Sequence, residues 1–150
     1  REVVLHENVT IIRRHAFLNC SNLQHVELLE GLLRLERNAF RGCTKLTRLQ
    51  IPASVELMEE GAFSGSGLSS LHYSEFVAFM PGTILLPPKL QAISEECFSN
   101  CESMIHPRIP PAVQSIEMRA LYGSGLRVVE IPKQVLRIGS WAWQNCVSLE

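Results

Sequence analysis

The chain has 150 residues, 46% of them hydrophobic and 19% charged, which suits one folded domain with a real core rather than a disordered segment. A formal net charge of -1 supplies no basic field to attract nucleic acid or an anionic membrane. No run of about 18 apolar residues occurs, so the sequence holds no helical membrane span.

Read from the N-terminus, the same unit recurs six times. Leu5, Val9 and Ile12 lead to Ala16-Phe17 and then Cys20; Leu28, Leu32 and Leu35 lead to Ala39-Phe40 and Cys43; Ile51, Val55 and Met58 lead to Ala62-Phe63 and Ser66. After a longer interval, Leu86, Leu90 and Ile93 lead to Cys97-Phe98 and Cys101. Ile109, Val113 and Ile116 then lead to Ala120-Leu121 and Ser124, and Ile131, Val135 and Ile138 to Ala142-Trp143 and Cys146. The anchors at 17, 40, 63, 98, 121 and 143 are separated by 23, 23, 35, 23 and 22 residues. Agreement of six columns in six copies identifies a solenoid, because one such unit buries too little apolar surface to offset its own ordering, whereas stacked units share a core.

Within a unit, "LTRLQIP" (46–52) alternates Leu49 and Ile51 inward with Arg48 and Gln50 outward, a strand that Pro52 stops. "SVELM" (54–58) predicts a second short extended piece, and "EEGAFSG" (59–65) a brief turn of α- or 3₁₀-helix around Phe63. Two units close on a shorter "GSGL" turn (65–68 and 123–126). These Ser-Gly turns occupy a repeat column, which argues against phosphate-binding loops. The expected fold is therefore an α/β-type repeat solenoid of six coils, mostly short β-strands and turns, forming a single domain over 1–150.

The unit from Leu46 to Phe63, with its L-x-x-L-x-I-P-x-x-V-x-x-M-x-x-x-A-F pattern, resembles the BspA-type leucine-rich repeat, as does "VEIPKQVLRIGSWAWQNCVSL" (129–149). The resemblance covers essentially the whole chain; it departs at Leu29, where Pro is usual, and in the fourth unit, which carries an insertion. It implies a right-handed solenoid used for protein recognition, often on microbial surfaces, with no catalytic residues and no cofactor.

Candidate recognition residues follow from the strand columns: His25, Glu27, Arg48, Gln50, His72, His106, Arg108 and Glu130 are expected to point outward. The three histidines fall on non-adjacent coils, too far apart for one metal at about 4.8 Å per coil. Cys20, Cys43, Cys101 and Cys146 share one column and are read as small buried groups; Cys20 and Cys43 lie on adjacent coils, where a disulfide needs a specific geometry. The Cys97–Cys101 spacing lacks the second pair of ligands a zinc site needs. Free thiols lean towards a reducing compartment, while the resemblance allows the cell surface. Sequons at Asn8 and Asn19 barely bear on this. No hydrolase, kinase or dinucleotide motif appears.

The 35-residue step implies an insertion at about 74–86, within "YSEFVAFMPGTILL" (73–86), where Tyr73 and Leu86 both suit the strand column. Its Phe76, Phe79 and Met80 form either a satellite core or an apolar partner surface. The chain begins inside one coil, and Leu149 takes a position that opens a strand, so residues 1–150 are expected to belong to a longer array. The expected function is non-enzymatic protein binding or scaffolding, with neighbouring repeats of the same chain as further partners. The alternatives are a repeat arm of a larger enzyme or signalling protein, and a surface adhesin for host or matrix ligands.

Overall fold

The structure, a computed structural model, describes residues 2–72 and 83–150. The chain winds as a stack of coils whose short parallel strands line two faces, each face divided into two sheets. One strand face holds β1 (Glu2–Val4), β3 (His25–Glu27), β5 (Arg48–Gln50), β7 (Ser70–His72), β8 (Thr83–Leu85) and β10 (His106–Arg108), and a parallel bridge from Arg108 to Glu130 adds a rung. The second face holds β2 (Ile11–Ile12), β4 (Arg34–Leu35), β6 (Leu57–Met58), β9 (Ala92–Ile93), β11 (Ser115–Ile116) and β12 (Arg137–Ile138).

Alternation places these strands. In β3, β5 and β10 the central residue, Val26, Leu49 or Pro107, is buried between two exposed ones. After each strand the chain turns at a carbonyl: Val55, Leu90, Val113 and Val135 donate their N–H to the carbonyls of Pro52, Pro87, Pro110 and Pro132 at 3.0–3.2 Å. The turn uses the proline carbonyl and needs no N–H there. Leu29 therefore substitutes for Pro in the second coil, its carbonyl accepting from Leu32 at 3.3 Å.

The segment around each anchor is a turn and not the expected helix; no helix occurs among the described residues. Alternate N–H groups explain this. Ala39 and Arg41 donate within their own coil, to Glu36 and Asn38, whereas Asn38, Phe40 and Gly42 donate to Glu60, Ala62 and Ser64 of the next coil at 2.8–2.9 Å. A helix would consume all of these internally. The geometry requires left-handed backbone two residues after every anchor, where only Asn or Gly occurs: Asn19, Gly42, Gly65, Asn100, Gly123 and Asn145. The side-chain oxygen of Asn19 fills the place a methyl group on Gly42 would need. In the shorter "GSGL" turns, a methyl group at Gly67 would collide with the carbonyl oxygen of Thr44, which is why that column holds glycine.

The core is continuous through the stack. Phe17, Phe40, Phe63 and Phe98 form a ladder of parallel rings with centroids 4.9, 5.4 and 5.6 Å apart. The cysteine/serine column beside it is more than small filler. Cys43, Cys101, Ser124 and Cys146 donate to the anchor carbonyls of Phe17, Phe63, Phe98 and Leu121 in the preceding coil, at 3.2, 3.1, 2.7 and 3.2 Å. Thiol and hydroxyl are interchangeable there because each is a compact donor. All five cysteines are free thiols, and Cys20 departs from the expected burial by being exposed.

The C-terminal part of the segment expected as an insertion, at about 74–86, contributes a strand to the first face. Residues 83–85 form β8, a full member of the ladder, pairing with β7 through Leu71–Ile84 and with β10 in register from His106–Thr83 to Arg108–Leu85. The first face thus gains an extra rung while the anchor turns stay in sequence, Phe63 stacking directly on Phe98. The mismatch surfaces on the second face. There β2-β4-β6 and β9-β11-β12 are separate sheets, and the gap is bridged by the Ser94 hydroxyl donating to the Met58 carbonyl at 2.5 Å.

Candidate recognition face

The strand face displays two outward columns. His25, Arg48 and His106 lie in one, and Glu27, Gln50, Arg108 and Glu130 in the other; all seven are exposed. The register sets Gln50 opposite His72 and Arg48 opposite Ser70. His72 thus joins the ladder by its backbone, while Phe76, Phe79 and Met80 lie outside the described residues. Ser70, in an outward column, is buried. Among the described residues the face carries two depressions.

The first, about 320 Å³, lies over the second and third coils, between His25, Glu27, Leu29, Arg48 and Gln50. Its lining mixes polar and apolar side chains, and His25 Nε2 lies 3.7 Å from the exposed carboxylate of Glu2. The second, about 570 Å³, crosses three successive rungs and contains Leu85, His106, Arg108, Val128, Glu130 and Ile131. Its rim is formed by the turns at Pro88, Pro111 and Pro132, with Lys133 beside them. Proline fixes the backbone of this rim and removes its N–H groups. Val128 and Ile131 are 48% and 44% exposed, high for aliphatic side chains on a stack with a filled core.

Leu85, Val128, Ile131 and Lys133 were not among the residues expected from sequence. Val128 stands fifteen residues before its anchor, the same interval as His25, Arg48 and His106, so the repeat arithmetic carried that signal. Ile131 stands in an inward column, and its exposure is legible only in three dimensions.

Charge is distributed unevenly. Away from the strand face, several arginines are matched across coils: Arg13 with Glu36 at 3.3 Å, Arg37 with Glu60 at 2.7 Å, Arg41 and Arg119 with Glu96 at 3.6 Å each, and Arg137 with Glu117 at 2.8 Å, while Arg14 has no ion pair among the described residues. The Ser115 hydroxyl and then Arg137 hold the Glu117 carboxyl below its usual range. On the larger groove, Arg108, Lys133 and Glu130 have no ion pair among the described residues. Among the described residues no His, Cys, Asp and Glu cluster is suited to hold a metal ion.

Stacked coils of 22–23 residues, parallel ladders on two faces and an aromatic anchor column define a leucine-rich-repeat solenoid. The chain belongs to the BspA type leucine rich repeat family, whose pattern matches residues 1–82 and 66–150 in six copies. It is similar to a leucine rich cell surface protein of Faecalibacterium prausnitzii, with 28% identity and a TM-score of 0.84 over 99% of this chain and 37% of that one. It shares its fold with a leucine rich repeat protein of T. pallidum at 22% identity and a TM-score of 0.69, over 99% of this chain and 78% of that one. The chain therefore spans little more than a third of the length of the first of these proteins. No curated protein matches it.

Proposed function

We propose that the chain is a non-enzymatic protein-recognition module that engages its partner through the first strand face. The observation that carries this reading is the larger groove, where exposed aliphatic side chains and unmatched charges meet on a rigid ladder. Exposed apolar patches rimmed by polar groups mark partner surfaces on folded proteins. The test compares proteins captured by the native chain, by a groove variant (Arg108→Ala with Val128→Ser) and by a second-face control (Arg34→Ala). Species lost only with the groove variant support the reading; identical captures from all three refute it.

A second reading, surface adhesion to host or matrix ligands, draws support from the similarity to the Faecalibacterium cell surface protein. Labelling of intact producing cells with a membrane-impermeant reagent separates the two, since adhesion requires the chain to be labelled from outside.

A further inference from the structure

The larger groove has a chemistry specific enough to narrow its occupant. Leu85, Val128 and Ile131 line it with aliphatic surface, and Arg108 and Lys133 stand on it against one carboxylate, Glu130. Elsewhere six arginines (13, 34, 37, 41, 119 and 137) each lie within 4.0 Å of a glutamate, so their charge is already met within the fold. Arg108 and Lys133 are exposed and have no such carboxylate among the described residues. Their charge is available to a ligand, and it sits next to apolar surface that water solvates poorly.

The shape selects a chain-like occupant. The groove crosses three rungs, a span of about 10 Å at roughly 4.8 Å per rung, which three extended residues cover at about 3.3 Å each. The proline rim holds its backbone in place, so binding orders little on this side.

We propose that this groove takes an extended segment of a partner protein in which an acidic side chain lies between aliphatic ones, the carboxylate meeting Arg108 and Lys133 and the flanking side chains resting on Leu85, Val128 and Ile131. This rests on the reading of the first strand face as the recognition surface and adds the class of sequence recognised.

The experiment titrates the ¹⁵N-labelled 150-residue chain with millimolar acetyl-Leu-Asp-Leu-amide and, separately, with acetyl-Leu-Lys-Leu-amide, following amide chemical shifts. The aspartate peptide is expected to shift the amides of His106, Arg108, Val128, Glu130 and Ile131. It is expected to bind about fivefold tighter than the lysine peptide, near the upper end of what one exposed ion pair supplies. Arg108→Glu should abolish that preference while leaving the remaining spectrum in place, and Arg34→Glu, on the second face, should leave the preference unchanged. If both peptides shift these amides with equal affinity, the acidic preference is overturned while recognition by the face stands. If neither peptide shifts them, or the shifts fall on the second face, the groove assignment itself is overturned.

Discussion

Phe40 and Phe63 stack with ring centroids 5.4 Å apart and planes within 2° of parallel, both fully buried. Twenty-three residues separate them in sequence, and the same stacking recurs from Phe17 to Phe98, although Phe63 and Phe98 are 35 residues apart. The ladder makes each anchor a shared component of two coils, so damage at one is felt by its neighbours.

Phe40→Ala should therefore cost about 3–5 kcal/mol, the usual result of truncating a buried aromatic. Arg41→Ala, one position on, removes an exposed contact with Glu96 at 3.6 Å and should cost about 0–1 kcal/mol. Urea titrations of the two variants check this. Equal losses would mean that the anchor column is misassigned.

The thiol column yields a graded expectation. The Phe63 carbonyl accepts from the Ser66 N–H at 2.9 Å and from the Cys101 thiol at 3.1 Å. Cys101→Ala removes only the second of these bonds and should cost about 0.5–1.5 kcal/mol. Cys101→Ser should cost less, because Ser124 makes the equivalent bond to Phe98 at 2.7 Å. Thermal melts of both variants would expose a reversed order.

Buried thiols also give the fold an alkaline limit. Burial and then the neighbouring Cys20 push the Cys43 thiol from 9.0 up to about 11, and burial pushes Cys101 up to about 12. Burial raises Cys97 and Cys146 as well. Below the unfolded value of 9.0 the thiols are protonated in both states and do not affect the balance. Above it the unfolded chain releases protons that the folded chain retains, so stability falls as pH rises through about 9 towards 11–12. Urea midpoints measured from neutral pH to about pH 10 should decline, and less so in Cys101→Ser. A flat profile in the native chain contradicts this.

Gly67→Ala should destabilise by about 1–3 kcal/mol, as overpacking does, because the added methyl group meets the rigid carbonyl of Thr44 and not a flexible side chain. Chemical denaturation reports it directly.

The sequence by itself determined the period, the six anchors and the inward columns. These are set by residue type: burial in a stack requires the same apolar position in every copy, so the pattern is written in the chain. It also determined that His25, Glu27, Arg48, Gln50, His106, Arg108 and Glu130 face outward, since alternation in a strand has a period of two. Only the tertiary structure decided where those residues form depressions, because the larger groove depends on Val128 and Ile131 of one coil lying beside Leu85 two rungs away. It alone decided that residues 83–85 enter the ladder as β8, a matter of pairing between strands that neither strand's sequence specifies. The anchor turns likewise abandoned the helix their sequence suggested, because their N–H groups found acceptors in the next coil, and local sequence cannot report a partner 21 or more residues away.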